Sequence, residues 1–436
     1  MENNKAFVAK LGNIKKIEGA DKIVQASVIL NSIPITTVVV GTDVKENTPI
    51  VYFDSNLALS DEFILAIDKC SPDFGKEDFK GIGTYLAKGN RVRAIKLKGT
   101  ISNGLAIEVD KFVRAIHPDR SIYVDGFAFT ELNGFEICHK WLPPVKNTPR
   151  TGNKEHKGKK KISRIIPELF HFHIDTEQLL RNMHRINPEQ IISISRKVHG
   201  TSAIVSHTKV RKELSLLDKV LKFFKYPVNE LAWEYLYASR TVVKNDAVGG
   251  GFYGVDLWSK IGSENFVGKL HKGESVYYEI VGYIPGTNTY IQKGYDYGCK
   301  PGEYKIAIYR ITQTNEDGVV FEYSWQAMKE RCKEFNLPMV QEFYYGKAKD
   351  LYPDLDVSEH WNINFVNKLK EDYLEKDCED NLGKKVPDEG IVLRVEAKDI
   401  TVFKLKSEKF FVHESKAKED ENNVDLEDQE QAEVVA

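Results

Sequence analysis

Between Pro143 and Arg164 the chain loses all apolar periodicity. Pro143, Pro144, Pro149, Gly152 and Gly158 fall among eight bases and a single acid, with Lys159, Lys160 and Lys161 in succession. Such a stretch has nothing to bury, so residues 143–165 are expected to form a basic, flexible linker. That linker would divide the chain into two folding units. Its charge suits a phosphate backbone, because neutralised phosphates release counterions. A solvated linker kept soluble by its charge is the alternative reading.

The two flanks have different textures. Up to about residue 130, short β-prone runs (Phe7–Leu11, Ile23–Leu30, Ile35–Val40, Pro49–Phe53, Arg91–Leu97 and Gly104–Val109) alternate with turn signals such as Gly19, Asn31-Ser32, Gly41 and Gly89-Asn90. Many short strands at this spacing predict a small barrel or sandwich over residues 1–130. From residue 166 to about 414, strand-like stretches alternate with helical ones. The strands are expected at Ile191–Ser195, Ala203–Ser206, Val276–Val281, Lys305–Ile311, Val319–Tyr323, Gly390–Val395 and Thr401–Leu405. Helices are expected at Thr176–Met183, Trp325–Phe335, along Trp361, Phe365, Leu369 and Tyr373, and along an insert at 213–226. This is an α+β pattern with antiparallel sheets rather than regular βαβ units.

Charge sharpens the division. The formal net charge is −2, yet residues 415–436 hold eight acids and two bases, leaving 60 bases against 56 acids elsewhere. An acid-rich stretch poor in aromatics predicts a disordered tail from Ser415. Five scattered cysteines (Cys70, Cys138, Cys299, Cys332, Cys378) form no C-x-x-C pair, which argues against a zinc site or disulfide framework and for a reducing compartment. The first residues, MENNKAFVAK, lack the apolar core of a signal peptide. No apolar run approaches the ~20 residues of a membrane span. A soluble, cytoplasmic, monomeric protein is expected, in the host cytoplasm if phage-encoded.

The sharpest chemical signal is Ser195-Arg196-Lys197-Val198-His199-Gly200-Thr201-Ser202: a β-rich segment ends in a lysine, and a Gly-Thr-Ser turn follows that can bring backbone N–H groups close to a phosphate. A lysine there can act as a nucleophile once its amine is neutral. Later segments add Ser239-Arg240, Tyr278-Glu279-Ile280, Ile308-Tyr309-Arg310, Asp388-Glu389-Gly390 and Phe403-Lys404-Leu405-Lys406-Ser407. Lys404 and Lys406 are two apart, so on a strand they share a face and could grip a triphosphate.

In order and content these segments resemble nucleotidyltransferase motifs I, Ia, III, IIIa, IV and V of covalent polynucleotide ligases and capping enzymes. The K-x-H-G-T-S form of motif I resembles that of an RNA ligase. The lead-in Phe170-His171-Phe172-His173-Ile174-Asp175-Thr176 through Asn187-Pro188 is similar to that of family-five (Deinococcus-type) RNA ligases, especially longer phage-type versions. Those enzymes place an OB-like domain before the catalytic one. Arg93–Gly99 through Ser102–Leu105 looks like part of theirs, and Ile17-Glu18-Gly19-Ala20-Asp21-Lys22-Ile23 looks like the opening turn of OB-fold tRNA-binding domains.

The resemblance therefore implies an OB-like β-barrel at 1–130 and an RNA-ligase-type nucleotidyltransferase domain at 166–414. It implies ATP as substrate, AMP as a covalent adduct on Lys197, and Mg2+ or Mn2+. Nucleotide contacts are implied for His199, Gly200, Arg240, Glu279, Tyr309, Lys404 and Lys406, with Glu389 and Glu279 at the metal. The implied partner is RNA, as a nicked or broken duplex or an RNA/DNA hybrid, with RNA repair as the implied role; the linker's charge adds Lys159, Lys160 and Lys161 as expected contacts. Two departures stand out. Ser202 replaces the arginine that ends motif I in DNA ligases and capping enzymes, and Arg310 replaces the acid that follows the motif IIIa aromatic in many RNA ligases.

Each residue also has a plainer reading. Glu279 suits a cross-strand pair and Tyr309 a core position. His199 suits a turn as well as acid–base chemistry. His171 and His173 mimic metal ligands but lack a clustered third. Gly249-Gly250-Gly251 has no Gly-Lys-Ser/Thr after it, so a plain loop is expected. The 213–226 insert carries Lys219, Lys222 and Lys225 opposite a Leu/Phe stripe and is expected to pack as a helix with a solvated face. A capping enzyme, a DNA ligase and an inactive nucleotidyltransferase that only binds RNA are the alternatives.

Overall fold

The computed structural model describes residues 4–117, 120–143, 164–212, 214–244, 256–358 and 360–419. Lys159, Lys160, Lys161 and Gly249–Gly251 lie outside them.

The amino-terminal elements are β1 (Ala6–Lys16), β2 (Ile23–Leu30), β3 (Ile33–Gly41), β4 (Pro49–Phe53), β5 (Leu57–Leu59), α1 (Asp61–Lys69), β6 (Ala94–Leu97), β7 (Thr100–Asn103), β8 (Leu105–Glu108), α2 (Val109–Ile116), β9 (Ala128–Phe129), β10 (Glu131–Leu132), β11 (Phe135–Glu136) and β12 (Cys138–Lys140). Alternation drives the main sheet: along β2, every second residue is buried. Its order is β3-β2-β1-β4-β8, with β9 also pairing β1. Among the described residues no ladder joins β3 to β8, so of the barrel expected over residues 1–130 the structure shows an open, half-barrel antiparallel sheet. The reason lies at Gly104, where the chain breaks between β7 and β8: β7 pairs β6 instead. Among the described residues side-chain bonds tie β7 to β3, from Val39 N to Ser102 Oγ (2.9 Å), from Thr37 Oγ1 to Ile101 O (3.2 Å) and from Asn103 Nδ2 to Thr36 Oγ1 (3.2 Å). One face is sealed by α1 and α2 around Phe53, Phe63 and Phe112.

After residue 164 come β13 (Glu177–Gln178), β14 (Ile191–Lys197), β15 (Thr201–Arg211), α3 (Leu216–Phe223), β16 (Leu231–Ala238), α4 (Leu257–Phe266), β17 (Glu274–Gly282), β18 (Tyr304–Thr314), β19 (Val320–Glu322), α5 (Trp325–Phe335), β20 (Glu342–Lys347), α6 (Ala348–Leu351), α7 (Trp361–Tyr373), β21 (Gly390–Val395), β22 (Thr401–Lys406) and α8 (Glu408–Glu419). They build two five-stranded sheets, β13-β22-β21-β14-β20 and β16-β15-β17-β18-β19. The first is backed by α7 through Trp361, Phe365 and Leu369; the second by α4 and α5 through Trp258, Phe266, Trp325 and Phe335. The result is a mixed α/β fold with largely antiparallel sheets.

Three expectations change. Thr176–Met183 is not a helix but the short β13 followed by 3-10 turns at Leu179–Arg181 and Met183–Arg185. The insert does form α3, with Ser215 capping it. Its apolar side is not packed, however: Leu216 is 82% and Phe223 81% exposed. Ser415–Glu419 of the expected tail are helical instead, since α8 runs unbroken to Glu419 with Ser415 buried; residues 420–436 lie outside the described residues. Among the described residues no helix is long and apolar enough to cross a membrane.

Candidate active site

Lys197 is the last residue of β14, and Val198–Gly200 carry the chain from one sheet of the second unit into the other. Gly200 permits that crossing, since a Cβ there would lie 2.5 Å from Ile280 O on β17. Register does the rest. Lys197 pairs with Gly390 and Gly390 with Lys406, so the two lysines flank β21 in one row. Gly390 has φ +136°, and a Cβ on it would meet Leu405 O at 2.2 Å. A side chain is excluded there, and the preceding Glu389 is turned under the lysines.

Glu389 is buried, and its Oε1 lies 2.9 Å from Lys197 Nζ and 2.7 Å from Lys406 Nζ. Burial alone would raise its pKa, but Lys197 and Lys406 outweigh that and hold it at about 2. On β22, Phe403 and Leu405 point into the core and leave Lys404 and Lys406 on the opposite face. Burial, reinforced by the charges of Lys406 and Lys197, lowers Lys404 to about 7. Arg196 fastens this arrangement from below: its Nε donates to both Asp388 carboxylate oxygens at 3.1 Å.

Two hollows open from Lys197. One is a cavity of about 350 Å3 lined by Tyr309, Val340, Val392, Ser202, Glu279, Arg240 and Lys404, among others. Tyr309 is fixed at its hydroxyl, 2.8 Å from Ser202 Oγ, and by an edge contact with His173, ring centroids 5.5 Å apart. Ser202, the residue that stands in place of the motif I arginine, thus steadies the aromatic ring. Arg310 turns aside, donating from Nε to Glu322 Oε2 at 2.8 Å with its guanidinium over Tyr277. An acid does reach this cavity, Glu322, but it arrives from β19.

The other hollow is a charged chamber of about 160 Å3. Lys197, His199, Gly200, Arg240, Glu279, Glu389, Lys404 and Lys406 line it together with Asn56, Lys140 and Trp141 of the amino-terminal unit and Glu414 and Lys418 of α8. His199 is wedged between the Tyr295 and Phe410 rings, each 5.0 Å away, and burial lowers its pKa to about 4. It is a packed, neutral imidazole. Arg240 pairs with Asp175, a residue that sequence reasoning read only as part of the lead-in phrase. His173 is half-buried, its pKa lowered to about 3 by desolvation and then Arg240, while His171 is held by Glu168 O; the two histidines do not form a metal pair.

The structure thus brings together Lys197, His199, Gly200, Arg240, Glu279, Tyr309, Glu389, Lys404 and Lys406. Lys159, Lys160 and Lys161 fall outside the described residues. Sequence reasoning missed Asp175, Glu322, Glu414 and Lys418. Of these, the last two carried a signal: with Phe410 they fall at i, i+4 and i+8, one helical face.

For a divalent cation, Glu389 Oε2 offers a buried oxygen with no hydrogen-bond partner among the described residues. No cluster of three or more His, Cys, Asp or Glu occurs there. The residues fit a hard cation that takes one or two carboxylates from the protein and completes its shell with phosphate and water.

No family model matches the chain, and no curated protein does. Solved structures do. A Naegleria gruberi RNA ligase mutant with ATP and Mn aligns over 94% of this chain and 97% of its own at TM-score 0.54 and 15% identity. An apo mutant aligns over 95% and 100% at TM-score 0.55 and 15% identity, and a mutant with AMP and Mn over 93% and 97% at the same score and identity. Similarity of this kind establishes a shared fold that spans both units of the chain.

Proposed function

We propose that this protein is an ATP-dependent RNA ligase that joins a 3′-hydroxyl to a 5′-phosphate through a lysyl-AMP intermediate. The observation that carries this reading is Lys197 Nζ held 2.9 Å from buried Glu389, with Lys406 on the same carboxylate, at the mouth of a nucleotide-sized cavity. The shared fold with an RNA ligase whose structures contain ATP, AMP and Mn supports it.

In the first step the Lys197 ammonium gives up a proton, and its lone pair attacks the α-phosphorus of ATP. A P–N bond forms, the bridging P–O bond breaks, and pyrophosphate leaves. Lys404 and Lys406 hold the α-phosphate oxygens, where positive charge matters most as negative charge spreads. Tyr309 stacks on adenine, with Val392 and Val340 as further cavity walls, and Arg240 and Glu279 face the ribose and phosphate. Glu389 and Glu279 would hold Mg2+ or Mn2+, whose contribution when bound is to neutralise phosphoryl charge. The strand's 5′-phosphate then takes the AMP, and the 3′-hydroxyl displaces it.

The family-five, phage-type relationship, an RNA-repair role and RNA binding by an OB-like amino-terminal unit belong to the same reading. Sealing of a nicked duplex tests it. An RNA 3′ end should be joined, and an all-DNA nick joined far less; equal sealing of both contradicts RNA specificity. Replacing Lys159, Lys160 and Lys161 by alanine should lower RNA affinity and reduce the salt slope of binding. An unchanged slope returns that segment to a plain linker.

A further inference from the structure

The helix that follows the two β22 lysines belongs to the catalytic chamber rather than to a tail. α8 starts one residue after Ser407, and its Phe410 and Phe411 rings lie beneath Lys406, with Nζ 5.0 Å and 5.8 Å from their centroids. One turn further on, Glu414 enters the chamber, followed after another turn by Lys418; the two are ion-paired at 3.5 Å. Glu414 is held strongly acidic: burial would raise it, but Lys418 and then Lys406 win.

The amino-terminal unit grips this helix at the next residue. Arg91 is only 2% exposed, and its Nη1 and Nη2 donate to Ser415 Oγ (3.1 Å) and Ser415 O (3.0 Å). Ala94 N donates to the same hydroxyl at 3.3 Å. Arg91 in turn stacks over Trp141, which lines the chamber. A buried guanidinium fixed in this way is costly to misplace.

We propose that α8 is a working wall of the active site. Glu414 is a positioning residue that shares the chamber with Lys406 and Glu389, and Arg91 is the clamp by which the amino-terminal unit holds α8 in register. This inference rests on the ligase reading and adds to it a route from the amino-terminal unit to the α-phosphate. Lys406 has a long, flexible stem, and one carboxylate cannot fix where its ammonium points; a second carboxylate and two rings can.

The test is the rate of lysyl-AMP formation with labelled ATP and Mn2+, without RNA, in the full chain. Glu414→Gln should reduce the maximal rate by about ten- to a hundredfold, the cost of a misplaced catalytic group, with KM for ATP within about threefold of wild type. Glu414→Asp should recover part of the rate. Arg91→Met should reproduce the rate loss with the same KM pattern, although Arg91 does not itself line the chamber.

A rate for Glu414→Gln within twofold of wild type overturns the inference. So does a loss in which KM rises in step and the melting temperature collapses, since that marks a merely structural role. Should Arg91→Met melt early, Ser415→Ala, which removes only the hydroxyl acceptor, must show a smaller loss of the same kind; a wild-type rate in it overturns the clamp. If the wild type itself takes no label, the ligase reading fails first. If it does and Glu414→Gln matches it, only the present inference fails.

Discussion

The two hollows that meet at Lys197 are built on opposite principles. The larger cavity sets apolar walls such as Tyr309, Val340, Val392 and Trp325 among many charged side chains and lies between the two sheets of the second unit. The smaller chamber is almost entirely polar and charged, and three separate parts of the chain enclose it: the strand ends, α8 and the amino-terminal unit. The first can select a flat, partly apolar group by shape and stacking. The second stabilises charge by placing ammonium groups around buried carboxylates. Substitutions on the two sides should therefore fail differently: chamber changes in the rate of chemistry, cavity changes in nucleotide binding.

The largest effect is expected on the chamber side. Glu389→Gln leaves Lys197 and Lys406 without their shared counterion and removes the buried oxygen suited to a cation. Lysyl-AMP formation should fall about a hundredfold or more in single-turnover assays. A fall of less than about fivefold would move the functional carboxylate elsewhere.

On the cavity side, Tyr309→Ala should raise KM for ATP about tenfold, in keeping with the ~1–3 kcal/mol that base–aromatic stacking supplies, and leave the maximal rate largely intact. Tyr309→Phe keeps the ring and loses only the contacts to Ser202 and His173, so it should stay within about threefold of wild type. If Ala and Phe behave alike, the ring does not stack on the base.

Lys404 joins the two sides and gives the comparison a pH signature. In the free protein it is lowered to about 7 by burial and by Lys406 and Lys197. A bound phosphate favours its charged form, so binding takes up a proton. Affinity for ATP should then weaken as pH rises past that value, by up to about tenfold per pH unit. Lys404→Arg stays charged and should flatten the slope relative to wild type when binding is titrated across that range. An identical slope in both proteins would exclude Lys404 as the source.

What could be read in advance follows a physical line. β14, β17, β18, β21 and β22 are continuous apolar or alternating runs, and each carries its functional residue within or beside itself, so both strand and residue are legible locally. α5 at Trp325–Phe335 and α7 at Trp361–Tyr373 follow from their spacing of apolar residues. Asp175, Glu322 and Glu414 depend on contacts between distant parts of the chain, and no local pattern announces that Asp175 will meet Arg240 or that Arg91 will hold Ser415. α3 and α8 mark the limit most clearly. The first has a stripe that suggested packing, yet Leu216, Phe223 and Phe224 remain exposed. The second was hidden by the acid count of residues 415–436, yet its Glu414 and Lys418 line the chamber. Periodicity reveals that a helix has two faces; what covers each is decided by the tertiary fold. The open amino-terminal sheet has the same cause, since strand number was legible and closure was not.

The central claim is that Lys197 becomes covalently bonded to AMP. Incubation of the full chain with α-labelled ATP and Mn2+, followed by a denaturing gel, tests it directly. The account predicts an acid-labile label on the protein, released by added pyrophosphate and absent in Lys197→Ala. An unlabelled wild-type protein, or an undiminished label in Lys197→Ala, would contradict it.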